Sequence, residues 1–68
     1  MSELLNVAIV GANGRMGRAL VQAIHDHPQC CLSGALEHDQ SPALRMDAGF
    51  TLGLETGVEI THDAVKVL

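Results

Sequence analysis

The run VAIVGANGRMGRAL, from Val7 to Leu20, constrains this chain more than any other stretch. Val7, Ala8, Ile9 and Val10 form an uninterrupted apolar tetrad, the pattern of a parallel-sheet strand covered on both faces. Gly11 ends it at once. From Gly14 onward, Met16, Ala19, Leu20, Ala23 and Ile24 recur at helical spacing and predict one apolar helix face, with Arg15, Arg18, Gln22 and Asp26 on the other. A strand that turns through three glycines directly into a helix leaves few folds open. Gly11 permits the sharp turn, Gly14 has no side chain to block approach to the backbone, and Gly17 lets the helix pack close to the sheet.

The helix is expected to end between His25 and His27, because Pro28 has no amide hydrogen and biases the residue before it away from helical angles. Cys30 to Leu36 is a second apolar run of strand length that tolerates Ser33 and Gly34. Strand, helix and strand together have the dimensions of a right-handed βαβ unit. Residues His38 to Gly57 mix charges, Pro42 and three glycines with scattered apolar residues, and predict a long loop with at most a short helical turn. Val58 to Thr61 alternates as a short strand, and Asp63 is placed to cap a last helical turn running into Val67. The expected fold class is α/β, a partial, truncated Rossmann-type doubly wound parallel sheet in the order strand, helix, strand, loop, strand.

Sixty-eight residues hold one small folding unit at most. Hydrophobic residues at 47% and charged ones at 18% exclude a disordered tail. The net charge of -4 gives no support to nucleic acid or an anionic membrane surface as a partner. The apolar runs fall far short of the ~20 residues a bilayer span requires, and Glu3 near the N-terminus argues against a secretory signal, so a cytoplasmic setting is expected. Cys30 and Cys31 are adjacent in a strand, where their side chains point to opposite faces. They are expected to be core thiols and not a bridge.

The chemistry lies in the glycine loop. Free amides of the first helical turn, aided by the helix dipole, face an anion placed there. The spacing G-x-x-G-x-x-G is one residue longer than G-x-G-x-x-G, and Asn13 is the extra residue, able to adopt a left-handed conformation. Glu37 stands 20 residues beyond Gly17 at the end of the second strand, where a carboxylate accepts hydrogen bonds from a ribose. Arg15 adjoins the phosphate position, and Arg18 is expected to be a surface helix charge. The four histidines, His25, His27, His38 and His62, lack the Cys or Glu pattern that would complete a metal set, so no metal is expected.

GANGRMGRAL, then SGALE, then the triplet Asp47 to Gly49 and GVEIT from Gly57 to Thr61, resemble the start of bacterial dihydrodipicolinate reductases over nearly the whole chain. The resemblance implies NAD(P)H as cofactor and a small cyclic dicarboxylate as substrate, in the diaminopimelate route to lysine. It implies that Gly11, Ala12, Asn13, Gly14, Arg15 and Met16 wrap the pyrophosphate and that Glu37 binds the adenosine ribose. Where the family often has Arg for the 2′-phosphate of NADPH, this chain has His38. The family's catalytic residues lie downstream, so no catalytic residue is named. Residues 1–68 are expected to be the N-terminal part of a dinucleotide-binding domain with the substrate domain absent, inactive alone, from an enzyme that forms a homo-oligomer through its C-terminal part. Related glycine patterns also open semialdehyde dehydrogenases and acyl-phosphate reductases. A non-enzymatic nucleotide- or CoA-binding module shares the loop as well, and the sequence beyond Leu68 separates these readings.

Overall fold

The computed structural model describes residues 4–67. Its elements are β1 (Leu5–Val10), α1 (Arg15–Asp26), β2 (Cys30–Leu36), a 3₁₀ turn (Phe50–Leu52), β3 (Ile60–Thr61) and α2 (Ala64–Val67). The strands form one sheet in the order β1-β2-β3, and both pairings are parallel. This is the first part of a Rossmann-type α/β fold. The helix ends where Pro28 requires, with His27 in an extended conformation as its C-cap. Asp63 caps α2 as expected, its Oδ1 accepting the Val65 amide at 3.0 Å.

The register carries one irregularity. Val7 pairs with Leu32 but Ala8 pairs with Gly34, so Ser33 has no partner in β1. Because strand side chains alternate, skipping one residue exchanges the faces beyond it. Ala35 therefore lies beside Ile9 and Ile60, giving a row across the three strands that is 4%, 0% and 3% exposed in strand order. Val21 and Ile24 of α1 and Ala43 and Ala48 of the long connection belong to the same core. Gly34 meets the side chain of Val67 in α2.

Two expectations about burial are corrected. The buried face of α1 is Gly17, Val21 and Ile24, whereas Met16 and Leu20 are exposed. Counting apolar residues gives glycine no weight, yet Gly17, with no side chain, packs directly against the backbone of Gly11 and Ala12. Likewise β1 is not covered on both faces among the described residues, since Val10 is 80% exposed. The cysteines split as strand alternation demands, but only Cys30 packs against the core. Cys31 is exposed, so it is not a core thiol.

The connection between β2 and β3 is more ordered than its composition suggests. Arg45 donates its amide to the Ile60 carbonyl, Ile60 to Met46 and Ala48 to Val58, each at 2.8 Å, a short antiparallel ribbon that runs into β3. Arg45 takes a left-handed backbone (φ 72°) to enter it. Asp47 organises the remainder. Its Oδ1 accepts from the Gly49 amide, the Thr56 amide and the Thr56 hydroxyl, and its Oδ2 from the Gly57 amide, all at 2.8 to 3.0 Å. Burial alone would raise the carboxyl pKa, but the donors from Thr56, Gly49 and Gly57 together outweigh it and hold the group at about 2, below 3.8.

A depressed folded-state pKa contributes stability that is present above the unfolded value and lost as pH falls through the folded one. Asp47→Asn should therefore lower stability by about 1.5–3 kcal/mol at pH 7, the range for hydrogen bonds to a charged acceptor. The difference from the parent should shrink as pH falls from about 4 toward 2. Urea midpoints across that range check this, and a pH-independent difference would refute the assignment.

Candidate functional site

The site forms where β1 meets α1. Gly11 has φ 76°, a conformation L side chains rarely adopt, and the Gly11 and Ala12 amides both donate to the Leu36 carbonyl, at 2.8 and 3.0 Å. The Gly14 amide closes the turn onto the Gly11 carbonyl at 3.0 Å, and the Arg18 amide makes the first helical bond, to Gly14, at 2.9 Å. Gly14 is the N-cap of α1 and offers no side chain to the first turn. The amides of Arg15 and Met16 have no acceptor among the described residues, and both residues are exposed. Gly17 is buried against the loop. A Cβ there would fall well inside contact distance of the Gly11 carbonyl oxygen and 2.8 Å from Ala12 Cα.

Glu37 enters the same loop from β2. Its side chain is only 10% exposed, and its Oε2 accepts the Asn13 amide at 2.8 Å. Oε1 accepts the His38 amide at 3.3 Å and lies 3.9 Å from His38 Nε2. A carboxylate offers about four lone-pair sites, so acceptor capacity remains for a ligand hydroxyl. The His38 side chain is 69% exposed, and its Nδ1 accepts the Gln40 amide at 3.3 Å.

The structure thus brings Gly11, Ala12, Asn13, Gly14, Arg15, Met16, Glu37 and His38 to one end of the sheet. One detail differs from expectation and one adds to it. Asn13 is not left-handed, since among the described residues Arg45 is the one non-glycine with positive φ. Arg18 is exposed on α1, as expected of a surface helix charge, but it is also tied to the loop. Its Nε donates to the Asn13 carbonyl at 3.1 Å and its Nη2 to Asn13 Oδ1 at 3.3 Å. A contact five residues back, onto a loop carbonyl, leaves no trace in helical periodicity. In the sequence Asp47 stands out only through its place in the resembling triplet, although Asp-x-Gly is a recognisable turn signal.

Chemically, the arrangement sets open amides at a helix N-terminus, with no side chain ahead of them, beside a carboxylate with acceptor capacity to spare. The first suits an anion, the second a hydroxyl. A hollow of about 340 Å3, lined by Ser33, Gly34, Val58 and Lys66 among others, lies elsewhere, along β2 and α2. Among the described residues no group of three or more His, Cys, Asp or Glu side chains is placed to hold a metal. No helix among them is long and apolar enough to cross a membrane.

A parallel βαβ unit with a glycine-rich first turn and an acid at the end of its second strand defines a Rossmann-type nucleotide-binding segment. A family described as "Dihydrodipicolinate reductase, N-terminus" matches residues 5–68, and the chain belongs to that family. It is 58% identical over 64 residues to the 4-hydroxy-tetrahydrodipicolinate reductase of Neisseria meningitidis serogroup C, covering 94% of this chain and 24% of the relative. The Laribacter hongkongensis protein of the same name is 51% identical over 68 residues, covering all of this chain and 25% of the relative. That of Burkholderia pseudomallei is 48% identical over 63 residues, covering 93% and 24%. The chain spans about a quarter of the length of these curated relatives.

Proposed function

We propose that residues 1–68 are the N-terminal part of the NAD(P)H-binding domain of a 4-hydroxy-tetrahydrodipicolinate reductase. One observation carries the reading above the others. Open first-turn amides and the Glu37 carboxylate meet at a single loop, as recognition of a pyrophosphate joined to a ribose requires. In this reading the Arg15 and Met16 amides receive the pyrophosphate, Gly11, Ala12 and Gly14 shape the backbone around it, and Glu37 accepts from the ribose through Oε1. Asn13 turns its amide toward Glu37 and serves the loop's shape. Bound nicotinamide would supply hydride to a cyclic dicarboxylate. Residues that protonate and anchor that substrate belong to the remaining three quarters of the relatives' length.

A polypeptide limited to these 68 residues should bring about no reduction above background, because holding a nucleotide without substrate contacts lowers no barrier. Turnover by the purified segment in a coupled assay would overturn this.

Cofactor choice turns on His38. A carboxylate at the ribose disfavours a 2′-phosphate, and His38 supplies a compensating charge only when protonated, whereas Arg would supply a permanent one with a forked donor. With this segment joined to the downstream three quarters of the Neisseria meningitidis relative, NADH should bind at least as well as NADPH at pH 8. His38→Arg should shift the NADPH to NADH affinity ratio upward by about tenfold, or about 1.4 kcal/mol. Fluorescence titration of both cofactors tests the reading. Failure to bind either nucleotide would refute the function, and a tenfold NADPH preference before substitution would refute the role of His38.

A further inference from the structure

We propose that Arg18 is a positioning residue of the nucleotide loop, acting through Asn13. The inference rests on the nucleotide reading above. Arg18 sits in the first turn of α1, where a cation opposes the helix dipole. Its placement there is not explained by a surface ion pair, since it has no carboxylate partner among the described residues and Gln22 is engaged with Asp26 at 3.0 Å. Instead the guanidinium turns back past the helix start and meets two acceptors of one residue, the carbonyl oxygen and Oδ1 of Asn13. The rigid fork of arginine can hold both at once, and the single ammonium of lysine holds such a pair poorly.

From the other side, Glu37 Oε2 takes the Asn13 amide. Residue 13 is therefore gripped at its N–H by Glu37, which follows β2, and at its C=O and side chain by Arg18 of α1. Asparagine visits the left-handed region more readily than most residues, and the grip keeps it out of that region here. The peptide that Arg18 holds also carries the Gly14 N–H, which closes the turn onto Gly11. If that peptide rotated, the turn would open, and the Arg15 and Met16 amides that follow would lose their common aim. Arg18 thus preserves the direction of the phosphate-facing amides while leaving the phosphate contact to them.

The test uses the whole reductase polypeptide, this segment joined to the downstream part of the Neisseria meningitidis relative. Arg18→Gln should weaken NADH and NADPH by the same factor, about fivefold, as expected for one lost hydrogen-bonded hold. The dependence of affinity on salt should be unaltered, and kcat at saturating cofactor should be unchanged. Arg18→Lys should fall between the two. Asn13→Ala, which removes Oδ1 but keeps the carbonyl, should weaken binding in the same direction by less, and adding Arg18→Gln to it should cost less than Arg18→Gln alone, because the Oδ1 bond is already gone. Unchanged affinity in Arg18→Gln, or strictly additive losses, would overturn the proposal. So would a larger loss for NADPH with a shallower salt dependence, which would mean that Arg18 touches phosphate itself. If Arg18→Gln fails to fold, Arg18→Lys, which keeps the charge, decides by the same criteria. Absence of nucleotide binding by the unsubstituted polypeptide would instead refute the functional reading on which this rests.

Discussion

Gly17→Ala is expected to destabilise the domain by about 3 kcal/mol or more, the upper end of the range for forcing extra volume into a packed site. Nucleotide binding should go with it. The added Cβ would meet the Gly11 carbonyl and the Ala12 Cα, which are backbone atoms with no rotamer to yield. Relief requires α1 to lift from the sheet, and lifting it would withdraw Val21 and Ile24 from the core they share with Ile9 and Ala35. It would also displace the first-turn amides. The same substitution on an exposed helix surface would be mildly favourable, since alanine is the better helix former by about 1 kcal/mol. The sign of the effect therefore discriminates. A chemical denaturation curve in which Gly17→Ala matches or exceeds the parent would refute the close packing of α1 on the loop.

Replacement of Glu37 should produce the largest loss of affinity that leaves the fold intact. Its carboxylate has two duties in the proposed function, holding the Asn13 amide through Oε2 and offering Oε1 to the ribose. Gln can keep the first by presenting its carbonyl oxygen to Asn13, but it then turns an NH2 donor toward the hydroxyls. Ala keeps neither. Hydrogen bonds to a charged group are worth about 1.5–3 kcal/mol and about 1.4 kcal/mol is tenfold. Glu37→Gln should accordingly weaken NADH about tenfold, and Glu37→Ala about a hundredfold with some loss of thermal stability. Wild-type affinity in Glu37→Gln, measured by calorimetry, would remove the ribose role while leaving the latch on Asn13 in place.

The elements of this fold were legible because they obey local rules. Continuous apolar runs marked β1 and β2, Pro28 stopped α1, and Asp63 capped α2. What escaped was decided by distance between elements. Which side of α1 is buried depends on Gly17 touching the loop, a fact invisible to apolar periodicity. The unpaired Ser33 depends on how β2 lies along β1, and the ribbon that runs into β3 on backbone bonds from Arg45 and Ala48 that no side-chain pattern encodes. At the candidate site, residue types and spacing placed Glu37 beside the glycine loop. They did not reveal that Glu37 and Arg18 would both be engaged with Asn13, because the Glu37 bond and one of the two Arg18 bonds end on backbone atoms.

The Leu36 carbonyl accepts two amides, from Gly11 and Ala12, and the next residue in the chain is Glu37. A single main-chain oxygen is thus the common origin from which the start of the glycine turn and the position of the acid are both measured. In the proposed function, the dimension that would match the nucleotide, from its pyrophosphate to its ribose hydroxyls, is gauged in backbone bonds. Exposed side chains such as Val10 and Cys31 stand outside that gauge, much as the scale of a caliper does not depend on the finish of its handle.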